Sequence, residues 1–132
     1  MTRGAPATRY LTAGQVVELA GLVLGAAPRL RDPGLLESAV HRPQASMFGH
    51  EAYGDVMVKA AALLQSLAVH RPFATGGAKT AWICTVVFLA YNGVELDTGD
   101  DAAHDLVTAV ARGRYAELDE IARVLRSFTA LV

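Results

Sequence analysis

The sequence predicts an all-α, single-domain helical bundle packed around a central apolar helix at about residues 77–92. The chain has 132 residues, of which 52% are hydrophobic and 19% are charged, and this composition suits one folded domain with one core. Apolar residues recur at helical spacing along most of the chain. No strand-rich region, internal repeat or linker interrupts this pattern, so a helical bundle is the expected fold.

Local start and stop signals delimit the first two helices. Thr12 and Gln15 stand three residues apart, as in a capping box, and Gly25 provides the stop that follows. Asp32, which precedes a proline, is the second start signal, because the acid caps free amides and the proline has no amide to leave unpaired. Pro43 ends this second, short helix.

Residues 43–54 show no helical spacing, and we interpret them as an ordered loop or a small flap. A third helix follows, and it ends near His70 because Pro72 disfavours helical geometry at the residue before it. Its apolar residues are spaced for one buried face. The residues of that face are Val56, Ala60, Leu63, Leu64 and Leu67.

The fourth helix begins around residues 76–77 and is apolar on nearly every side. This distribution predicts a central position, with the other helices packed around it. Trp82 lies on this helix, and we interpret it as a core residue rather than a platform for a ligand. Asn92 and Gly93 form the C-terminal stop signal.

The last part of the chain predicts two amphipathic helices after a short extended piece at residues 94–96. One helix lies around residues 102–111 and the other around residues 117–128. Their inward-facing residues are Leu106, Val107 and Val110 in the first helix, and Leu118, Ile121, Leu125 and Phe128 in the second.

Charge and composition exclude several classes of function. The formal net charge of -1 argues against general nucleic-acid binding, which needs a basic surface. The longest apolar run, residues 81–91, is too short to span a bilayer, and the N-terminus lacks the apolar segment of a signal peptide. The lone Cys84 is interpreted as a buried, inert thiol. We therefore expect a cytoplasmic protein without nucleic-acid or membrane partners.

Several short segments follow one another in an order that is typical of one protein family. They are RDPGLLESAVHRPQ at residues 31–44, KAAALL at 59–64, RPF at 71–73 with Thr80 and Ala81, FLAYNGVEL at 88–96, and AVARGR at 109–114. Together they resemble the Doc (death-on-curing) branch of the Fic/Doc family, from about Tyr10 onwards. The resemblance implies a Fic/Doc-like domain over residues 10–132, preceded by a disordered or loosely packed N-terminus at residues 1–9.

This resemblance implies an all-α fold in which a signature loop and the start of the next helix hold a nucleotide phosphate. Doc members are toxins that transfer a phosphoryl group to a protein hydroxyl, act on translation and are restrained by a small antitoxin. By resemblance, the expected cofactor is a nucleotide triphosphate with Mg²⁺. The expected partners are an antitoxin and a protein target in translation.

The residues of the family signature that take part in catalysis and metal binding are replaced in this chain. The signature reads His-Pro-Phe-x-Asp-Gly-Asn-Lys-Arg-Thr-Ala, whereas residues 71–81 read Arg-Pro-Phe-Ala-Thr-Gly-Gly-Ala-Lys-Thr-Ala. Arg71 replaces the histidine that acts as general base, and arginine is not deprotonated near neutral pH. Thr75 replaces the acid that holds Mg²⁺ and offers only a neutral oxygen. We therefore expect impaired transfer and no metal ligand from the chain.

His70 and Arg71 are the candidate catalytic residues. His70 stands one residue before the family's histidine, and in a helix this difference rotates the side chain by about 100°. In the irregular turn before Pro72 its direction does not follow from sequence. His70 is therefore either a displaced general base or a structural histidine that caps the helix or is partly buried.

The glycine-rich start of the fourth helix is the candidate nucleotide- or anion-binding site. Glycines permit a tight turn, the free amides of the helix point outwards, and nearby cations add positive charge. The alternative interpretation is a glycine-rich helix start with two solvated cations. The candidate residues are Thr75, Gly76, Gly77, Lys79 and Thr80.

The predicted flap carries the candidate residues for target recognition, which are Phe48, His50 and Tyr53. The family resemblance implies a flap that positions a target segment, although such aromatic residues also serve as packing anchors. Three functions stay open for the whole chain. The first is a toxin that transfers a phosphoryl or nucleotidyl group. The second is a catalytically silent pseudoenzyme that binds an anion or a partner. The third is a protein whose pocket is repurposed for small-molecule chemistry in a biosynthetic pathway.

Overall fold

The structure, a computed structural model, describes residues 7–129 and consists mainly of helices joined by short turns. The helices are α1 (Ala13–Leu24), α2 (Pro33–His41), α3 (Val56–His70), α4 (Gly77–Tyr91), α5 (Asp100–Ala111) and α6 (Leu118–Ser127); a 3₁₀ turn spans Arg42–Gln44, and the strands are β1 (Ser46–Met47) and β2 (His50–Glu51). The predicted all-α class is confirmed. Within the described residues, no helix combines the length and apolar character needed to cross a bilayer.

The helix starts that were predicted from capping residues are confirmed. The Thr12 hydroxyl accepts a hydrogen bond from the Gln15 amide at 3.1 Å, and the Gln15 side chain accepts one from the Thr12 amide at 2.9 Å. The Asp32 carboxylate accepts hydrogen bonds from the amides of Gly34 and Leu35. Because these bonds span only two or three residues, the helix starts follow from local sequence.

Residues 43–54 contain the small flap that the sequence predicted, and its tip is a β-hairpin. Strands β1 and β2 pair antiparallel, with Met47 opposite His50. The turn between them consists of Phe48 and Gly49, whose φ angles are 53° and 79°. Two consecutive residues with positive φ form the tight turn that joins adjacent antiparallel strands. The hairpin therefore accounts for the absence of helical spacing.

The centre of the bundle is formed by α3 and α4, which pack against each other. Helix α3 also contacts α2, α5 and α6, whereas α4 chiefly contacts α1 and α5. Three consecutive alanines of α3, residues 60–62, are fully buried and let neighbouring helices approach closely. The larger Trp82, Ile83, Val86 and Val87 leave part of α4 only half-buried. The predicted central helix therefore shares its position with α3.

The C-terminal helices keep their predicted inward faces, although α5 begins slightly earlier than predicted, at Asp100. The fully buried members of these faces are Leu106, Val107 and Val110 of α5, and Ile121 and Leu125 of α6. Leu118 and Phe128 are half-buried. The extended piece between α4 and α5 pairs with the segment just after α6 through one bridge, between Leu96 and Thr129.

The N-terminal segment is tied to the bundle from Arg9 onwards. Residues 1–6 of the segment that was predicted to be disordered or loosely packed lie outside the described residues, as do residues 130–132. The Arg9 amide donates to the Asn92 side-chain oxygen at 2.8 Å, and the Asn92 side-chain nitrogen donates to the Arg9 carbonyl at 2.9 Å. These two bonds fasten the segment to the C-terminal end of α4.

Candidate anion-binding site

The α3–α4 turn, residues 71–76, is held in place by the connection between α1 and α2. The Pro72 carbonyl accepts a hydrogen bond from the Arg31 amide at 2.6 Å. The Ala74 amide donates to the Arg29 carbonyl at 2.8 Å. These long-range bonds give the turn a defined backbone path, which a site for a small ligand requires.

Gly76 carries the chain from this turn into α4. Its φ angle is 69°, in the left-handed region that glycine adopts without strain. A Cβ atom at this position would overlap the Cδ2 atom of Leu24 and lie 3.1 Å from its Cγ atom. Backbone conformation and lack of space therefore both favour glycine, and the close approach fixes the start of α4 against α1.

The start of α4 presents free backbone donors. The Thr80 amide makes the first hydrogen bond of this helix, to the Gly76 carbonyl at 3.0 Å. The amides of Gly77, Ala78 and Lys79 come before this bond, and no described side chain caps the helix. Unpaired amides and the positive end of the helix dipole together attract anions.

A cavity of about 480 Å³, here called the anion cavity, opens beside this helix start. Arg71 lines it from the end of α3 and Arg112 from the end of α5, while Thr75 and Thr108 contribute hydroxyl groups. No carboxylate is among the described residues that line it. Two arginines and the free amides of a helix start, with no carboxylate among the described lining residues, suit an anion that carries more than one negative charge.

Sequence comparison relates this architecture to known proteins. The profile of the Fic/DOC family matches residues 10–89, a range that includes the α3–α4 turn. The Toxin Doc of Mycolicibacterium smegmatis is 43% identical over 125 residues, which are 93% of this chain and 95% of that protein. This chain belongs to the Fic/DOC family. The resemblance seen in the sequence is thereby confirmed, and the matched range includes the turn whose residues resemble the family signature.

The candidate anion-binding residues of this Fic/DOC chain divide between the anion cavity and its surroundings. Residues 75–77 line the cavity together with Arg71. Lys79 lines a neighbouring cavity instead. Thr80 is buried beneath the helix start, and its hydroxyl has no hydrogen-bond partner among the described residues. The structure therefore places the turn and Arg71, but neither Lys79 nor Thr80, at the anion cavity.

Arg112 and Thr108 are cavity residues that the sequence reasoning missed. Both lie on α5, far along the chain from the α3–α4 turn, and they reach the cavity because α5 packs against α3 and α4. The one sequence signal for Arg112 is that it lies in the AVARGR segment, residues 109–114, which resembles the family. Nothing in that segment links it to the α3–α4 turn.

His70 lies at the exposed end of α3 and does not line the anion cavity. Its carbonyl accepts a hydrogen bond from the Arg31 guanidinium at 2.6 Å. The next residue, Arg71, has a φ angle of 44° and turns the chain out of the helix. This placement gives no support to a displaced general base, and the exposed side chain is not the partly buried structural histidine that was the alternative.

The lining of the cavity suits an anion and does not fit a Mg²⁺ ion held by the protein. Mg²⁺ is bound in proteins mainly through carboxylates and other hard oxygen ligands. Thr75 stands at the position of the family's acid, and no cluster of metal-binding side chains occurs among the described residues. A Mg²⁺ ion at this site would have to be carried by the phosphates of a bound nucleotide.

The flap residues do not line the anion cavity. Phe48 is 93% exposed at the tip of the hairpin, and His50 beside it is also exposed. Tyr53 is half-buried where the flap joins the helices. Glu51 of the flap forms an ion pair with the buried Lys59 of α3, with 2.8 Å between Oε1 and Nζ. The flap therefore presents an exposed aromatic tip from a base that is anchored to the core.

Cys84 takes no part in the site. It is fully buried in α4, and burial raises the pKa of its thiol to about 12. Because the thiolate is the reactive form, the thiol is inert near neutral pH, as the sequence predicted.

The Arg31 side chain fastens the end of α3 where Arg71 turns out of the helix. Its Nε atom donates to the Arg71 carbonyl at 2.9 Å and its Nη2 atom to the His70 carbonyl at 2.6 Å. Arg71 has a left-handed backbone, which strains a residue with a side chain. Arg31 therefore helps to hold the backbone from which the Arg71 side chain reaches the cavity.

We expect Arg31→Gln to lower the free energy of unfolding by about 1 kcal/mol, because two charge-assisted hydrogen bonds at an exposed site are lost. Urea denaturation measures the change. Arg29→Gln is the matched control, since no described residue bonds to that side chain. Equal losses of stability in the two variants would show that Arg31 does not hold the turn.

Proposed function

We propose that this chain is a Doc-like member of a toxin–antitoxin pair whose anion cavity binds the phosphates of a nucleotide. We further propose that transfer of a phosphoryl or nucleotidyl group to a protein hydroxyl is impaired. The observation that carries the proposal is that Arg71 and Arg112 line the same cavity beside the uncapped start of α4. Family membership supports a nucleotide as the source of the anion.

Impaired transfer follows from the groups that face the cavity. Arg71 is permanently protonated, so it stabilises negative charge but does not accept a proton. His70 does not line the cavity. Loss of a general base alone slows a reaction by roughly 100- to 10,000-fold, and loss of the magnesium-binding acid lowers the rate further. A binding site with little transfer activity is the expected result.

A small antitoxin is the proposed protein partner. The support is the Toxin Doc of M. smegmatis, which matches this chain over nearly the full length of both proteins. A protein target in translation is proposed by the same family likeness. Phe48, His50 and Tyr53 of the flap are the proposed contacts with that target, because the hairpin presents Phe48 to solvent.

Calorimetric titration with ATP tests the anion site. We expect Arg71→Ala and Arg112→Ala each to weaken binding about tenfold, because each removes one charged donor from the phosphates. Arg123→Ala, on the exposed side of α6, is the control and is expected to bind ATP like the wild type. If the cavity variants bind ATP as tightly as the control, the phosphates lie elsewhere.

Incubation with γ-labelled and α-labelled ATP and a cell lysate tests the transfer. We expect little labelled protein from the wild type and more from the combined variant Arg71→His with Thr75→Asp, which restores the base and the acid of the signature. Rapid labelling by the wild type would contradict the proposed impairment while leaving nucleotide binding intact. Expression of this chain with and without a candidate small antitoxin, scored by growth, tests the proposed partner.

A further inference from the structure

A second cavity, here called the tryptophan cavity, lies between α4 and α5. Its volume is about 370 Å³, and Lys79, Trp82, Asp100 and His104 are among its lining residues. It shares Ala78 and Val107 with the anion cavity, so the two spaces adjoin. An apolar pocket with a few convergent polar groups is the usual form of a small-molecule site.

Trp82 gives this cavity a fixed aromatic wall. The indole is half-buried, and it packs edge-to-face on Phe128 with 6.3 Å between the ring centroids and an interplanar angle of 80°. The sequence predicted Trp82 as a core residue, whereas the structure places it both against the bundle and at a cavity. A ring that is already held in place loses little freedom when a planar ligand group stacks on it.

The polar groups at this cavity are available to a ligand. Neither Lys79 nor Asp100 forms an ion pair or a side-chain hydrogen bond with any residue in the range 7–129 that the structure describes. The Nε2 atom of His104 lies 3.4 Å from the hydroxyl of Thr108, which lines the anion cavity. The cavity thus offers a free cationic donor and a free anionic acceptor on facing helices.

The two cavities follow one another along α4. Ala78 at the shared wall and Trp82 lie one turn apart on α4, roughly 6 Å along the helix axis. A ribose and its first phosphate span a gap of this order. A ligand with phosphates in the anion cavity would therefore reach the indole with its base.

We propose that the tryptophan cavity is the base subsite of the nucleotide whose phosphates occupy the anion cavity, and that it prefers guanine. This inference rests on the proposed function. The base stacks on Trp82, and Asp100 accepts hydrogen bonds from the ring N–H and amino group on one edge of guanine. Lys79 donates to the guanine carbonyl oxygen. Adenine can donate from its amino group to Asp100 and accept from Lys79 at a ring nitrogen, but it has no ring N–H, so it forms one hydrogen bond fewer with Asp100.

Fluorescence titration of the full chain provides a direct test, because Trp82 is the sole tryptophan. The probes are GTP, ATP and inorganic tripolyphosphate. We expect GTP to change the Trp82 emission and to bind about tenfold more tightly than ATP and tripolyphosphate, as expected for added hydrogen bonds and stacking. Calorimetry on the wild type with the same probes checks that affinity and emission report the same event.

Asp100→Asn and its neighbour Asp101→Asn form a matched pair of variants. Both positions are exposed in the first turn of α5, but only Asp100 lines the cavity. We expect Asp100→Asn to bring the GTP affinity close to the ATP affinity, and Asp101→Asn to keep the preference for GTP. Circular dichroism confirms that both variants are folded.

The outcomes separate this inference from the proposed function. If tripolyphosphate binds as tightly as GTP and Trp82 emission does not respond, the anion cavity stands and the base subsite is wrong. If GTP and ATP bind equally in the wild type, or if Asp101→Asn removes the preference as Asp100→Asn does, the assignment of guanine to Asp100 is wrong. If none of the three probes binds, both proposals fail.

Discussion

Lys59→Ala is expected to lower the free energy of unfolding by about 3 kcal/mol, since it removes a buried side chain and breaks a partly buried ion pair. Lys59 is only 1% exposed. Its Nζ atom donates to the Tyr10 hydroxyl at 2.6 Å and to Glu51 at 2.8 Å. It also lies 5.2 Å from the centroid of the Tyr10 ring. One ammonium group thus joins α3, the N-terminal segment and the flap.

Urea denaturation measures the loss, and Lys59→Met identifies its cause. Methionine keeps most of the buried volume without the charge, so we expect a loss of about 1 kcal/mol in this variant. In both variants the hairpin amides are expected to exchange hydrogen faster, because Glu51 no longer anchors the flap. Lys79→Ala is the control for removal of an exposed lysine. Unchanged stability and exchange in Lys59→Ala would contradict the anchoring role.

The same contact predicts a dependence on alkaline pH. Burial disfavours the Lys59 ammonium, but the hydrogen bonds to Glu51 and Tyr10 outweigh it and raise the pKa of Lys59. The ammonium is therefore held more tightly in the folded chain, and its contribution to stability is complete below the ordinary lysine pKa of about 10.4. It is lost as the pH rises through the higher folded value. Lys59→Met is expected to lack this component of alkaline destabilisation.

Gly76→Ala is expected to lower the free energy of unfolding by about 3 kcal/mol, because a left-handed backbone and a steric overlap act together. The φ angle of Gly76 is 69°, and the added methyl group would overlap Leu24. Because the overlap lies at the start of α4, we expect ATP binding to weaken as well. Thermal or urea denaturation and calorimetry measure the two effects.

Gly113→Ala separates the two causes. Gly113 has a φ angle of 71°, but no atom lies within 4 Å of the position that its Cβ would take. This variant is expected to lose only the backbone part, about 1 kcal/mol. Leu24→Ala combined with Gly76→Ala is expected to recover part of the remaining loss by making room. Equal losses in Gly76→Ala and Gly113→Ala would show that Leu24 moves aside freely.

The helix boundaries were predictable because their signals are local. The capping box at Thr12 and Gln15 and the Asp32 cap before a proline satisfy amides only two or three residues away. Apolar spacing predicted the inward faces of α5 and α6 for a similar reason, since periodicity alone determines which side of a helix is buried. The centre of the bundle was predicted less well. Which helix lies at the centre depends on how closely its neighbours can approach it. The small, fully buried alanines at residues 60–62 permit a close approach to α3.

Only those residues of the candidate site that belong to one continuous sequence motif were predictable. Residues 71–81 identified the turn and the helix start, and the comparison with the family signature pointed to Arg71. Arg112 and Thr108 reach the cavity from another helix, and no motif in the sequence links them to the turn. His70 shows the same limit, because the direction of its side chain depends on the left-handed backbone of the residue that follows.

The amino-acid sequence by itself determined the family, the helical class and the loss of the signature histidine and acid, since these are properties of residue type and order. Only the tertiary structure decided which charges meet. Arg71 and Arg112 line one cavity, whereas Lys79 faces another beside Trp82, although Lys79 is much closer to Arg71 along the chain. The physical reason is that charges and aromatic rings act through space, and helix packing, not chain order, determines their separation.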